Sequence, residues 1–163
     1  MAVFAIAGLL VGACGSAAAP AASPPRTEAA IATSPSAAAT PPPQPDVLLA
    51  SSRYGAILFD GSGRTLYLFG ADRGTDSHCY NACATAWPPF VIAHAPIVGQ
   101  GLVQGTVSTT ARTGGGDQVV YAGHPLYYYA GDHAPGDIKC QAVVEFGGRW
   151  YVIDGNGNKI TRP

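Results

Sequence analysis

Two cysteines near the middle of this 163-residue chain are the residues whose type and spacing most directly suggest chemistry. Cys79 and Cys83 stand four positions apart in the segment CYNAC. Two such thiols can form a disulfide, or they can bind copper or zinc as soft sulfur ligands together with a histidine. The histidines available to complete such a site are His78, His94, His124 and His133. A disulfide is the first prediction, and a redox or metal-handling module of the copper type is the alternative.

The spacing leaves the pairing of these cysteines open. The alanine-rich segment from Tyr80 to Trp87 predicts one short helix. On an ideal helix, Cβ atoms four residues apart are separated by about 5–6 Å, whereas a disulfide needs about 3.8 Å. Either this turn is distorted around Cys79 and Cys83, or one of the two pairs with Cys140.

The chain also contains one motif twice, about 60 residues apart. The copies read LYLFGAD at 66–72 and LYYYAGD at 126–132. Residues two apart share one face of a strand, so each aromatic pair favours a core position, and each aspartate can accept N–H bonds from the loop that follows. A structural role is therefore favoured over a binding platform of aromatics beside carboxylates. The residues concerned are Tyr67, Phe69 and Asp72, and Tyr127, Tyr129 and Asp132.

The elements around these residues predict an antiparallel all-β domain with one short helix. Apolar runs flank turn sequences at 54–69, 118–130 and 149–161, which is typical of hairpins. Residues 102–104 and 106–110 are weaker strand candidates. We expect residues 47–163 to form one domain of two related halves, at about 54–92 and 117–155.

The segment Trp87-Pro88-Pro89 marks the end of the helical turn. Neither Pro88 nor Pro89 can continue a helix, so the chain must turn there and Trp87 is predicted to enter the core. The segment occurs in the first half only.

The N-terminal segment predicts export and lipid attachment. The apolar run at 3–11 is too short to span a bilayer but suits a signal peptide, here residues 1–13. It ends in VGAC, which looks like a bacterial lipobox, so Cys14 is predicted to carry lipid, including palmitate. Residues 14–46 are nearly all Ala, Pro, Ser and Thr and predict a disordered tether. Together they predict a lipid-anchored protein on the extracytoplasmic face of the cell membrane.

Composition and motifs also exclude functions. A net charge of -1 with nine Lys plus Arg argues against a phosphate-binding surface, so no nucleic-acid partner is expected. The chain contains neither a phosphate-binding loop nor a nucleophile-elbow pattern, and no enzyme activity or cofactor is predicted. We expect a monomer that binds an unidentified envelope or protein partner, or that serves the envelope structurally.

The repeated Tyr-x-aromatic-x-x-Asp motif resembles that of bacterial secreted-repeat lipoproteins of unknown function. Other segments typical of that family occur in order, at 63–67, 79–84, 87–89, 121–127 and 148–152. The resemblance covers about 55–153 and implies a lipid-anchored or exported β-rich domain without an established activity. It also implies that Cys79 pairs with Cys83, although Cys140 stands where glycine is more usual in the family.

Overall fold

The computed structural model describes residues 43–163. The predicted signal peptide, Cys14 and the tether up to residue 42 lie outside the described residues. The described chain contains nine strands, one short helix and one 3-10 turn: β1 (Val47–Ser52), β2 (Gly55–Asp60), β3 (Tyr67–Phe69), α1 (Ala82–Ala86), β4 (Val91–Ile92), the 3-10 turn Gln104–Thr106, β5 (Val107–Ala111), β6 (Asp117–Tyr121), β7 (His124–Tyr127), β8 (Val144–Glu145) and β9 (Gly148–Val152).

The predicted all-β antiparallel fold is confirmed, since every pair of named strands is antiparallel. The predicted helix is shorter than the segment from Tyr80 to Trp87, because Asn81 has a φ of 52° and lies outside the helical region. The strand expected at residues 102–104 is wrong. A turn closed by the Leu102 N–H on the Gly99 carbonyl stands there instead, followed by the 3-10 turn.

The strands form two arrangements of the same kind, which we call the first repeat (residues 47–92) and the second repeat (residues 107–153). Each begins with a hairpin, β1–β2 or β5–β6. A turn then leads to a central strand, β3 or β7. In the second repeat this turn is only Ala122-Gly123, with φ values of 48° and 83° that match the tight primed hairpin turns.

Each repeat places its last segment on the other repeat. β3 and β7 lie side by side, with Tyr67 directly opposite Tyr127. β9, from the second repeat, pairs with β3 of the first. Correspondingly, the Phe90 N–H donates to the Leu126 carbonyl at 2.9 Å, which fixes the end of the first repeat on β7. Neither repeat therefore closes its own sheet.

The central strands separate two cores. Side chains alternate across a strand, so Tyr67 and Phe69 face one side of β3 while Leu66 and Leu68 face the other. The first side holds the aromatic core, which also contains Trp87, Tyr127 and Trp150. The second side holds a largely aliphatic core: Val47, Leu58, Leu66, Leu68, Phe90, Val119, Tyr121, Leu126, Tyr151 and Ile153.

Candidate functional site

The two copies of the motif bond to each other. The Tyr67 hydroxyl donates to Oδ2 of Asp132 at 2.7 Å. The Tyr127 hydroxyl donates to Oδ2 of Asp72 at 2.8 Å. Both tyrosines are fully buried. Each repeat thus supplies the aspartate that accepts the hydrogen bond from the other repeat's tyrosine.

The second oxygen of each aspartate shapes the loop of its own repeat. Oδ1 of Asp72 accepts the backbone N–H of His78 at 2.7 Å. Oδ1 of Asp132 accepts the backbone N–H of Lys139 at 3.0 Å. A single carboxylate therefore fixes a loop locally and joins the two repeats at long range.

Burial raises the pKa of these groups. Desolvation lifts the pKa of the Asp72 and Asp132 carboxyls above their usual 3.8, although their hydrogen bonds oppose the shift. Desolvation, together with the neighbouring carboxylate, raises the pKa of Tyr67 and Tyr127 well above 10. Both hydroxyls therefore keep their protons at neutral pH and act as hydrogen-bond donors.

Four aromatic rings form one chain of contacts through the aromatic core, three of them stacked and the fourth tilted. Phe69 lies on Trp150 with ring centroids 4.2 Å apart, and Trp150 lies on Trp87 at 3.9 Å and an interplanar angle of 5°. Tyr129 also contacts Trp87, with ring centroids 4.7 Å apart and an interplanar angle of 43°. The stack joins the third residue of each motif through the two tryptophans, and contacts of this kind stabilise by about 0.5–1.5 kcal/mol per pair beyond the area they bury.

Trp150 of the second repeat is the counterpart of Trp87. The sequence does not predict this counterpart, because the segment Trp87-Pro88-Pro89 occurs in the first half only. Tyr67 meets Trp87 edge-on at 5.2 Å, and Tyr127 meets Trp150 edge-on at 5.2 Å. The two indoles differ in their hydrogen bonds. Nε1 of Trp87 donates to Oε2 of Glu145 at 2.8 Å, whereas buried Nε1 of Trp150 has no partner among the described residues.

Cys79 and Cys83 form a disulfide with a Cα–Cα distance of 5.2 Å. The ideal-helix spacing does not apply to them, because Cys79 precedes Asn81, whose φ is positive, and only Cys83 lies in α1. Both cysteines are buried, with Cys79 0% and Cys83 6% exposed. The disulfide is part of the aromatic core.

The second repeat contains one cysteine, Cys140, and has no second cysteine with which it could form a disulfide. Cys140 is half-buried and, within residues 43–163, forms no disulfide. The Trp87 N–H donates to the Cys83 carbonyl, and the Trp150 N–H donates to the Val143 carbonyl, so Val143 occupies the place of Cys83. Burial raises the pKa of the Cys140 thiol. A half-buried thiol of this kind is a weak nucleophile.

The histidines are not gathered around these sulfurs. Within residues 43–163, no three His, Cys, Asp or Glu side chains are arranged to hold a metal ion. The ring of exposed His78 contacts the backbone carbonyl of Asp76 at 3.2 Å. A disulfide sulfur is no thiolate ligand, so Cys79 and Cys83 would have to be reduced before binding a metal.

Two arginines that the sequence analysis did not single out lock the cysteine loop and its counterpart. Arg112, in the turn between β5 and β6, donates to the Cys79 carbonyl at 2.6 Å. Arg53, in the turn between β1 and β2, donates to the Ile138 carbonyl. Each arginine directly follows the first strand of its repeat, and this shared position is the signal that the motif alone does not show.

An apolar cleft of about 240 Å³ lies beside β1, where the repeats meet. The Gly136 N–H donates to the Gly63 carbonyl at 2.9 Å, and both glycines line the cleft. No lining residue carries a charge, and the lining consists of Leu48, Ala50, Ser51, Phe59, Gly63, Pro135 and Gly136.

Fold and site together define an all-β domain of two repeats that are held together by the side chains of a shared motif. Residues 49–91 and 108–154 match the model of a family described as a secreted repeat of unknown function. The chain belongs to this family, and an extracytoplasmic location fits that description. No curated protein and no solved structure matches the chain. Among the described residues, no helix is long and apolar enough to cross a membrane.

Proposed function

We propose that this protein is a lipoprotein anchored to the extracytoplasmic face of the cell membrane through Cys14. Residues 14–46 hold the domain away from the bilayer, and the domain binds a partner or supports the envelope structurally. The membership in a family of secreted repeats and the VGAC segment at 11–14 support this proposal. Lipid would supply the attachment, since the chain has few basic residues to bind anionic headgroups.

The reciprocal Tyr–Asp bonds are the observation that favours a non-enzymatic role. The motif's carboxylates each accept one cross-repeat hydroxyl and one loop N–H, so both are committed to structure. The most reactive residues by sequence, Cys79 and Cys83, lie in a buried disulfide. These features weigh against the redox or metal-handling alternative.

The anchor is tested by palmitate labelling. In cells that express the full chain, radiolabelled palmitate is expected to enter the wild type and the protein to sediment with membranes. Cys14→Ala is expected to lose both the label and the sedimentation. Cys140→Ala is the matched control and is expected to keep both. A labelled Cys14→Ala variant, or wild type found in the cytosol, contradicts the anchor.

The alternative function is tested separately by counting thiols with and without reductant, and by metal analysis of protein purified without chelator. We expect two additional reactive thiols per chain after reduction and denaturation and no stoichiometric copper or zinc. A stoichiometric metal bound through reduced Cys79 and Cys83 would instead support the alternative.

A further inference from the structure

The outer edge of β1 has unpaired backbone groups. The Val47 N–H donates to the Ile97 carbonyl, and the Val47 carbonyl accepts the Gly99 N–H, so the peptide groups of Val47 face away from β2. Because backbone direction alternates along a strand, those of Leu49 and Ser51 face the same way. Within residues 43–163, the edge at Leu49 and Ser51 has no backbone partner.

Beyond Val47, which the loop at residues 97–99 covers, this edge lacks the charged residues and prolines that usually protect an exposed strand. Residues 47–52 read VLLASS and contain no charge and no proline. Leu48, Ala50 and Ser51 of β1 line the apolar cleft, and the side chains of Leu48 and Ala50 share one face of the strand. Its 240 Å³ is below the range of about 300–1,000 Å³ that is typical of small-molecule sites, so it suits one apolar side chain.

We propose that an extended, uncharged segment of a partner protein adds to the edge of β1 as a further strand and places an apolar side chain in the cleft. Paired N–H and C=O groups at a strand edge recognise another polypeptide backbone. The uncharged strand and the uncharged cleft lining match an uncharged segment and disfavour a charged one. This inference names the surface for the binding role proposed above, and it does not depend on the lipid anchor.

The corresponding edge of the second repeat supplies a matched control. Leu58 on β2 and Val119 on β6 are equivalent, since each donates its backbone N–H to the last segment of the other repeat. Ser51 and Ala111 each pair with the residue two positions before that donor, so Ala111 on β5 holds the place of Ser51 on β1. No residue of β5 lines the cleft. Proline is tolerated at an outward-facing position of an edge strand, so Ser51→Pro and Ala111→Pro each remove one outward N–H and leave the hairpin ladder in place.

The test is a titration of the isotope-labelled full-length protein followed by amide NMR signals. The probes are two capped hexapeptides, one alternating threonine with valine and one with glutamate in place of valine. The valine peptide is expected to shift the amide signals of Leu49 and Ser51 saturably, and the glutamate peptide to bind at least tenfold more weakly. Ser51→Pro and the cleft-filling Ala50→Phe are each expected to weaken binding of the valine peptide at least tenfold, whereas Ala111→Pro leaves it unchanged.

Several results would overturn the proposal: no shift at Leu49 and Ser51 with the valine peptide, wild-type affinity in Ser51→Pro, or equal losses in Ser51→Pro and Ala111→Pro. Shifts at these amides that grow with protein concentration in the absence of peptide would assign the edge to a second copy, which also overturns it. Retained amide dispersion in each variant shows that the fold persists. Palmitate labelling has no bearing on any of these outcomes, so failure of the anchor and failure of the edge are distinguishable.

Discussion

The first and second repeats share their long-range contacts but fix the segment before each tryptophan differently. In the first repeat, a disulfide and α1 precede Trp87. In the second, the short hairpin β8–β9 precedes and carries Trp150, and the only thiol is Cys140. Even so, the two tryptophans stack face to face at the centre of the aromatic core.

This difference separates what the duplication preserves from what it does not. Both repeats keep the tyrosine that reaches across, the aspartate that receives the partner's tyrosine, and an aromatic ring on the stack. Among the described residues, the disulfide and the hydrogen bond from a tryptophan Nε1 each occur once, at Cys79–Cys83 and at Trp87. The positions that both copies of the motif share are therefore the ones that make contacts between the repeats. Each copy needs the other to complete its Tyr–Asp hydrogen bond.

The largest expected effect comes from removing either central indole. Trp87→Ala and Trp150→Ala are each expected to lower the free energy of unfolding by about 3–5 kcal/mol, because each deletes a fully buried ring that contacts three others. Chemical denaturation of each variant measures this. The comparison fails if one variant is severely destabilised while the other is close to wild type.

The reciprocal bonds give the next effect. Tyr67→Phe and Tyr127→Phe are each expected to cost about 1.5–3 kcal/mol, since each removes the hydroxyl donor of a carboxylate and leaves it only its loop N–H. A double-mutant cycle of Tyr67→Phe with Asp132→Asn should show coupling, whereas Tyr67→Phe with Asp72→Asn should be additive. Coupling of Tyr67 with Asp72, and none with Asp132, would show that the hydrogen bonds do not run between the repeats.

The same tyrosines predict the response to alkali. Their folded-state pKa values lie above the usual 10, so stability is fully present below pH 10 and falls as the pH rises above it, where only the unfolded chain ionises. The loss is about 1.4 kcal/mol per pH unit for each such group. Each Tyr→Phe variant should therefore show a shallower decline above pH 10 than the wild type, measured by denaturation at stepped pH. An unchanged slope would show that these hydroxyls titrate freely in the folded protein.

The disulfide tests the asymmetry directly. Reducing Cys79–Cys83 is expected to lower the free energy of unfolding by about 2 kcal/mol, the modest value that accompanies a short loop. Cys140→Ala serves as the control, and it should lose the same amount on reduction because its thiol takes no part in the bond. If reductant leaves the free energy of unfolding of both proteins unchanged, the disulfide adds no stability beyond that of the stacked aromatic rings.

Local features of this fold were readable from the sequence. The turn after Asp60 and the Ala122-Gly123 turn are set by residues within them, so the hairpins that they close follow from short-range chemistry. The sequence does not predict β1, because VLLASS does not alternate and the turn after Asp60 pairs the residues of β2 with 64–69 instead. The structure pairs β2 with β1 along its whole length and joins it to Thr65 by an isolated bridge.

The Tyr–Asp hydrogen bonds between the repeats cannot be predicted from short-range sequence features. It depends on contacts between residues about 60 positions apart, and a repeated motif is equally compatible with two halves that close separately. Trp150 was missed as a counterpart for a related reason. Trp87 is followed by two prolines and Trp150 by Tyr151, so the segments look different although both pair with a central strand.

The smallest expected effect is the sharpest test of how far the repeats are equivalent. Trp87→Phe and Trp150→Phe remove the same atoms from one stack, so their difference isolates the indole N–H. Trp87→Phe is expected to cost about 1 kcal/mol more by chemical denaturation, because it breaks a bond to Glu145 while Trp150 has none to lose. In a Glu145→Ala background the two costs should become equal. Equal costs already in the wild-type background would mean that the Glu145 bond contributes no net stability, and the repeats would then differ in the segment before each tryptophan but not in the stability that the indole N–H adds.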